Sequence, residues 1–261
     1  MEFRFSRVFT LKFICPQHDQ FLFFRALICI SGISLTGPSF ANTTPSVDFD
    51  VTSYNLALTP DIQNETISGR ETIFLHVIDD GLQRLTFTGN ALTVDSAVID
   101  GVPVSGRQTG DSFTFNIPSP IPRGRTVKLD IVYHGRPTRR LAHSETALYT
   151  SYFACDWMFC RQEDFGDKAD FALDLHIPVG METLSVGRMV SKRPGPDGTE
   201  IQSWQSPRPY SAYLYGFAVG RFASSSEHVG SAKLTYLSDV AGTSELKRRF
   251  VDTPEMVRFL S

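Results

Sequence analysis

The chain has 261 residues, with 25 Lys and Arg against 28 Asp and Glu for a formal charge of −3, and 41% of its residues are hydrophobic. That length and apolar content suffice for one large domain or two small ones around a real core. The cations are scattered rather than striped, which excludes a phosphate-tracking surface, and no nucleic acid is expected as a partner.

The first forty residues differ from the rest. "MEFRFSRVFTLKF" carries three positive charges and one negative, "FLFFRALICISGISL" is mostly apolar, and "GPSFA" offers Ser39 and Ala41 as the small residues of a cleavage site before Asn42. This pattern predicts a secretory signal peptide over residues 1–41 and export to the periplasm or the extracellular space. Arg25 interrupts the apolar run, so no stable membrane span is expected after cleavage. Processing would discard Cys15 and Cys29 and leave Cys155 and Cys160 in an oxidising compartment.

Alternation then takes over. "VDFDV" points Val47, Phe49 and Val51 one way, "YNLAL" points Tyr54, Leu56 and Leu58 one way, and the phase slips at Thr52–Ser53 as at a bulge. "TIFLHVI", "LTFTG", "LTVDSAVIDG", "SFTFNI" and "VKLDIVYHG" follow, rich in branched and aromatic residues and ended by turn formers. "DFALDLHIP", "TLSVGRMVSKR", "EIQSWQS", "SAYLYGFAVGRF" and "AKLTYLSD" continue the series. Short strands at such spacing predict a mainly β chain, an antiparallel sandwich or barrel. "RPGPDGTE" reads as a turn with Gly195 and Gly198 at positive φ, and "SSSEHVGS", near residues 224 to 231, reads as a linker.

Only the tail changes texture. In "TSELKRRFVDTPEMVRFLS", Leu246, Phe250, Val257 and Leu260 fit one helical face, with Thr243 or Ser244 as cap. "DTPEM" reads as a fresh helix start, capped by Thr253 with Pro254 at the first position. The expectation is a short helical stub that ends inside a helix.

The search for a reaction is mostly negative. His18, His76, His134, His143, His176 and His228 supply no H-E-x-x-H, and "GVPVSG" places Ser105 in a hairpin rather than a nucleophile elbow. No phosphate-cradling glycine loop occurs. The densest chemistry lies in "CDWMFCRQEDFGDKADF", residues 155 to 171. Cys155 and Cys160 read as half of a zinc site, a disulfide, or two packed thiols. Gln162, Glu163 and Asp164 follow, where a carboxylate beside a cleft binds an amine and one on an open loop is merely solvated.

Taken in order, these segments resemble the N-terminal β domain of zinc aminopeptidases of the aminopeptidase N type, peptidase family M1. Leu129, Ile131, Tyr133 and Gly135 match that family's middle strand, and Cys160, Lys168, Ala169 and Phe171 match its cysteine segment. Leu184, Ser185 and Gly187 match a turn, while Tyr213, Leu214, Phe217, Val219, Gly220 and Phe222 match the closing strand. The similarity covers about residues 47 to 224.

The resemblance implies a saddle-like antiparallel β domain over 45–224 and the truncated start of a thermolysin-like catalytic domain over 225–261. It also implies a cysteine segment beside an active-site mouth, where a glutamate holds the substrate's α-amine because a partly desolvated ammonium needs an anionic partner. "LYTSYF" has no acid at the corresponding place, and "CRQED" replaces C-x-D-x-P. The substrate-cleft candidates are therefore Tyr149, Thr150, Gln162 and Glu163. The family's metal site polarises a peptide carbonyl and activates water through an H-E-x-x-H motif with a further glutamate, none of it in this sequence. No catalytic residue, metal ligand or cofactor is assigned here, and zinc is expected only in a full-length relative. The expected partners are short peptides or a missing catalytic domain. A stand-alone secreted β-sandwich that binds a partner is the rival reading.

Overall fold

Alternation is realised directly in the first hairpin. β1 (Phe49–Asp61) buries Phe49, Val51, Tyr54, Leu56 and Leu58, and its pairing with β2 (Thr66–Val77) shifts register between Val51 and Ser53. The bulge keeps both runs of apolar side chains on one face. This computed structural model describes residues 48–139, 141–151, 154–162, 164 and 166–260. The expected signal peptide, Val47 and Glu163 lie outside the described residues.

Further along come β3 (Leu82–Thr88), β4 (Leu92–Ile99), β5 (Val102–Pro103), β6 (Gly106–Thr109), β7 (Ser112–Ile121) and β8 (Thr126–Gly135). Then follow β9 (Leu141–His143), β10 (Ala147–Thr150), β11 (Lys168–Pro178), β12 (Glu182–Ser185), β13 (Arg188–Pro194) and β14 (Thr199–Gln205). β15 (Tyr210–Ser211), β16 (Phe217–Gly220), β17 (Ala223–Val229) and β18 (Ala232–Ser238) precede α1 (Thr243–Arg249) and α2 (Thr253–Leu260). The chain is mainly β, with two short C-terminal helices.

A nine-stranded sheet runs β13-β14-β11-β1-β2-β8-β4-β5, with β15 joined to β11. β3-β7-β6 and β12-β16-β10-β9 form sheets of three and four strands, and β17 pairs with β18. The inner faces of the first three sheets share one apolar cluster, which includes Leu58, Ile73 and Leu129, then Phe87 and Phe115, then Leu148 and Val219. No helix among the described residues is long and apolar enough to cross a membrane.

The sheets are not all antiparallel, as the strand pattern led us to expect. β1 runs parallel to β11, pairing Ser53 with Asp170 through to Leu58 with Leu175. Parallel neighbours need a long crossover, and here β2 to β10 intervene. The residues read as a linker near 224 to 231 form most of β17 instead. Cross-strand partners satisfy its polar groups: the Ser226 and Thr235 hydroxyls lie 3.1 Å apart, and the Tyr236 hydroxyl donates to Glu227 at 2.8 Å. In "RPGPDGTE" the positive φ values fall on Asp197 (53°) and Gly198 (74°), whereas Gly195 has φ −99°. Within "SAYLYGFAVGRF", Ala212–Leu214 make a 3₁₀ turn and the strand starts only at Phe217.

The tail has its own small core. Val229, Tyr236, Ala241 and Leu246 are buried but do not belong to the main cluster. Phe250 stacks on Tyr236 with ring centroids 4.5 Å apart, whereas Leu260 is 82% exposed. The four residues expected on one helical face are thus separated: Leu246 lies in α1, Phe250 at its C-cap, and Val257 and Leu260 in α2. Gly242 caps α1 rather than Thr243 or Ser244, and the Thr243 hydroxyl donates to the Ser224 carbonyl at 3.3 Å. The Asp252 carbonyl accepts the Met256 N–H at 3.1 Å, so α2 is capped one residue before Thr253.

Candidate functional site

The Cys155–Cys160 segment sits in the core, not on a rim. Ala154–Asp156 form a 3₁₀ turn, the Trp157 N–H donates to the Ala154 carbonyl at 2.9 Å, and every residue from 154 to 160 is buried. The turn brings the two cysteine Cα atoms to 5.2 Å, and their sulfurs are bonded, which removes both thiols as metal ligands. Large side chains between them reach three sheets. Trp157 meets Phe217 edge-on at 5.1 Å and Phe171 at 6.5 Å, while Phe159 meets Tyr133, Phe113 and Phe115 at 5.4, 5.8 and 6.1 Å. Cys160 then pairs with Thr88 at the end of β3, exchanging N–H···O bonds of 2.9 and 3.1 Å. Gly89 makes room for this, because a Cβ there would lie 2.2 Å from the Phe159 ring.

Beneath the segment, the apolar face of the large sheet carries three polar side chains on adjacent strands. The Tyr133 hydroxyl (β8) donates to the Trp157 carbonyl at 3.0 Å, and Glu71 Oε2 (β2) accepts the Phe159 N–H at 2.8 Å. The Tyr54 hydroxyl (β1) accepts the Arg161 N–H at 3.3 Å. Residues 157, 159 and 161 are thus each held by a different strand, at the alternate spacing of an extended chain. Glu71 is fully buried, and loss of solvation pushes its carboxyl well above the usual range against the Phe159 N–H that favours the ion. Burial likewise pushes the Tyr54 and Tyr133 phenols up. A carboxyl sealed from solvent in this way anchors backbone and is not presented to a substrate. Its signal was legible, since Glu71 shares the inward parity of Ile67, Ile73 and Leu75 on β2.

Beyond Cys160 the chain approaches the surface. Arg161 is 18% exposed in its side chain; its guanidinium lies 4.8 Å above the Phe49 ring, donates to the Phe49 carbonyl and pairs with Asp164 at 3.0 Å. Gln162 is half-buried, with Oε1 buried and without a hydrogen-bond partner among the described residues. Tyr149, half-buried on β10, pairs across to Ala142 and Ala218. Thr150 is buried, and its hydroxyl both donates to the Phe217 carbonyl at 3.2 Å and accepts the Phe217 N–H at 2.8 Å. That hydroxyl is engaged in holding β10 to β16.

A cavity of about 200 Å³ adjoins the start of the segment, lined among others by Asn90, Asp111, Arg139 and Asp156. The Asn90 amide donates to Asp156, and Arg139 bridges Asp111 at 3.2 Å and Asp156 at 3.5 Å. Asp156 is 3% exposed, so Arg139 and Asn90 compensate a carboxylate held almost out of water. Sequence reasoning missed this group because its members come from four separated segments.

Zinc does not fit the described residues. No three His, Cys, Asp or Glu side chains converge closely enough to hold a metal ion. His134 pairs with Asp95 at 2.9 Å and His143 with Glu65 at 2.8 Å, as two separate pairs.

No protein-family model matches the chain, and no curated protein matches it in sequence. Solved structures do. An M1 zinc metallopeptidase from Deinococcus radiodurans superposes with a TM-score of 0.62 at 20% identity, over 72% of this chain and 46% of that one. A mutant two-domain M1 zinc metallopeptidase bound to L-tryptophan gives 0.64 at 19% identity, over 75% and 49%. A Deinococcus radiodurans mutant bound to the substrate Tyr-Ser-Ala gives 0.62 at 19%, over 73% and 47%. The chain therefore has a fold found in M1 zinc metallopeptidases, and it spans about half the length of those matched structures.

Proposed function

We propose that this β domain walls one side of a metallopeptidase cleft and does not itself hydrolyse peptides. A separate catalytic domain holds the zinc and the attacking water, and the substrates are short peptides that lose their N-terminal residue. The observation that carries this reading is the fold, shared over 72–75% of the chain with structures about twice the matched length. Tyr149 and Gln162, half-buried beside the cysteine segment's exit and β10, are the positions proposed to face the cleft. Export belongs to the same proposal, and the Cys155–Cys160 bond supports it because disulfides persist in oxidising compartments.

The test is an aminoacyl-nitroanilide assay of the purified chain with added zinc. No turnover is expected; zinc-dependent turnover by this chain alone refutes the proposal. A second reading, a stand-alone secreted binding module, draws on Leu246 and Phe250, which are covered by the β17–β18 hairpin. Against it, Met256, Phe259 and Leu260 on α2 are 59%, 88% and 82% exposed and await cover. Limited proteolysis separates the two: cuts concentrated in α2 are expected, and a wholly resistant tail favours the binding module.

A further inference from the structure

Two carboxylates flank one guanidinium where the chain leaves the cysteine segment, and a third, Asp50, lies within electrostatic reach of one of them. Arg161 Nη2 lies 3.0 Å from Asp164, and its Nε lies 3.7 Å from Asp167, beyond hydrogen-bond reach. The same guanidinium is already engaged with the Phe49 carbonyl and ring at the start of β1. Asp164 Oδ1 accepts the Gly166 and Asp167 N–H groups, each at 3.2 Å, which turns the chain back toward β1. Asp167 is 5% exposed in its side chain, and both of its oxygens are buried.

Asp50 and Asp164 repel its charge, Arg161 and the Val51 N–H attract it, and the rings of Tyr54 and Tyr215 feel it. Both phenols are pushed up chiefly by burial and stay neutral across the physiological range. With Asp167 ionised, the cluster holds three negative charges against one positive. A proton on Asp167 leaves two against one and removes the charge with the least access to water.

We propose that Arg161, Asp164 and Asp167 form a proton-operated brace between the chain entering β11 and the start of β1, seated when Asp167 is neutral and loosened when it ionises. The brace strengthens on mild acidification, the reverse of the usual surface ion pair. Burial, the largest influence, lifts the Asp167 carboxyl to about 6. The unfolded carboxyl titrates lower, so the folded state binds the extra proton between the two values. Local stability is then fully present at acid pH and is lost as pH rises through the folded value.

The experiment is a ¹³C carboxyl titration of the full chain, with amide exchange of Phe49–Val51 and Asp167–Asp170 in the wild type and Asp167→Asn. The carboxyl midpoint is expected near 6. At about pH 7.5 the variant's amides should exchange at least about tenfold more slowly than wild type, and the difference should shrink steadily as pH falls through the folded value toward the unfolded one near 3.8. A wild-type midpoint in the ordinary carboxylate range overturns the proposal, whether or not the variant folds. So does a variant that at the higher pH exchanges as fast as wild type or faster, because the ionised carboxylate would then be doing the bracing.

Discussion

Glu71→Ala removes the acceptor on which the Phe159 N–H depends. That amide belongs to the disulfide-linked segment and is buried in the core, with the Glu71 oxygen 2.8 Å away. Leaving a buried donor unpaired costs about 1–3 kcal/mol, and the lost side-chain volume in a closed core adds roughly 1 kcal/mol. The expected destabilisation is therefore about 2–4 kcal/mol, from a residue that touches no solvent. Glu71→Gln keeps an oxygen at the same place and should lose no more than about 1 kcal/mol.

The pH dependence follows from the direction of the Glu71 shift. Its folded carboxyl titrates well above the unfolded value of about 4.5, so its contribution is present at acid pH and lost as pH rises through the folded value. Wild-type stability should decline on the alkaline side more steeply than that of Glu71→Gln. Urea denaturation followed by Trp fluorescence and near-UV circular dichroism, from about pH 5 to about pH 9, measures both effects. Equal losses for the Ala and Gln variants, or parallel pH profiles for Gln and wild type, would refute the anchoring role.

Replacing Cys155 and Cys160 together by Ala opens a short loop and should cost about 2 kcal/mol in the chain-entropy treatment, read as a lower denaturant midpoint. Reductant added to the native protein should leave the bond intact, because both sulfurs are buried; free thiols by mass labelling check this. Gly89→Ala drives a methyl into the Phe159 ring and should cost about 1–3 kcal/mol, with a matching fall in Tm. The double change Phe259→Ser and Leu260→Ser alters exposed side chains and should shift stability by less than about 0.5 kcal/mol, while lowering retention on a hydrophobic column.

Several elements are legible in the sequence. The inward run Tyr54, Leu56 and Leu58 and the bulge after Val51 follow from strict alternation and its single slip. "LTFTG", "SFTFNI" and "VKLDIVYHG" became β3, β7 and β8 for the same reason. The linker expected near 224 to 231 is a strand instead, because a serine-rich segment is stable once a partner strand accepts its hydrogen bonds. The Gly195 reading failed because proline neighbours and an αL-tolerant Asp197 shifted the turn by two residues. Of the site, the sequence singled out Cys155 and Cys160 but left their state open, since six residues of chain say nothing about whether the backbone turns back.

Local chemistry determined the strands, their faces, the bulge and the mainly β class, because side-chain direction in an extended chain repeats every two residues and needs no distant partner. Tertiary structure alone decided that β1 lies parallel to β11, that the cysteine segment is a core plug joining three sheets, and that Asp156 meets Asn90 and Arg139. Each of these depends on contacts between residues far apart in the chain. Whether a carboxyl such as Glu71 or Asp167 keeps its proton is settled by the water and charges around it, and only the assembled sheets fix those.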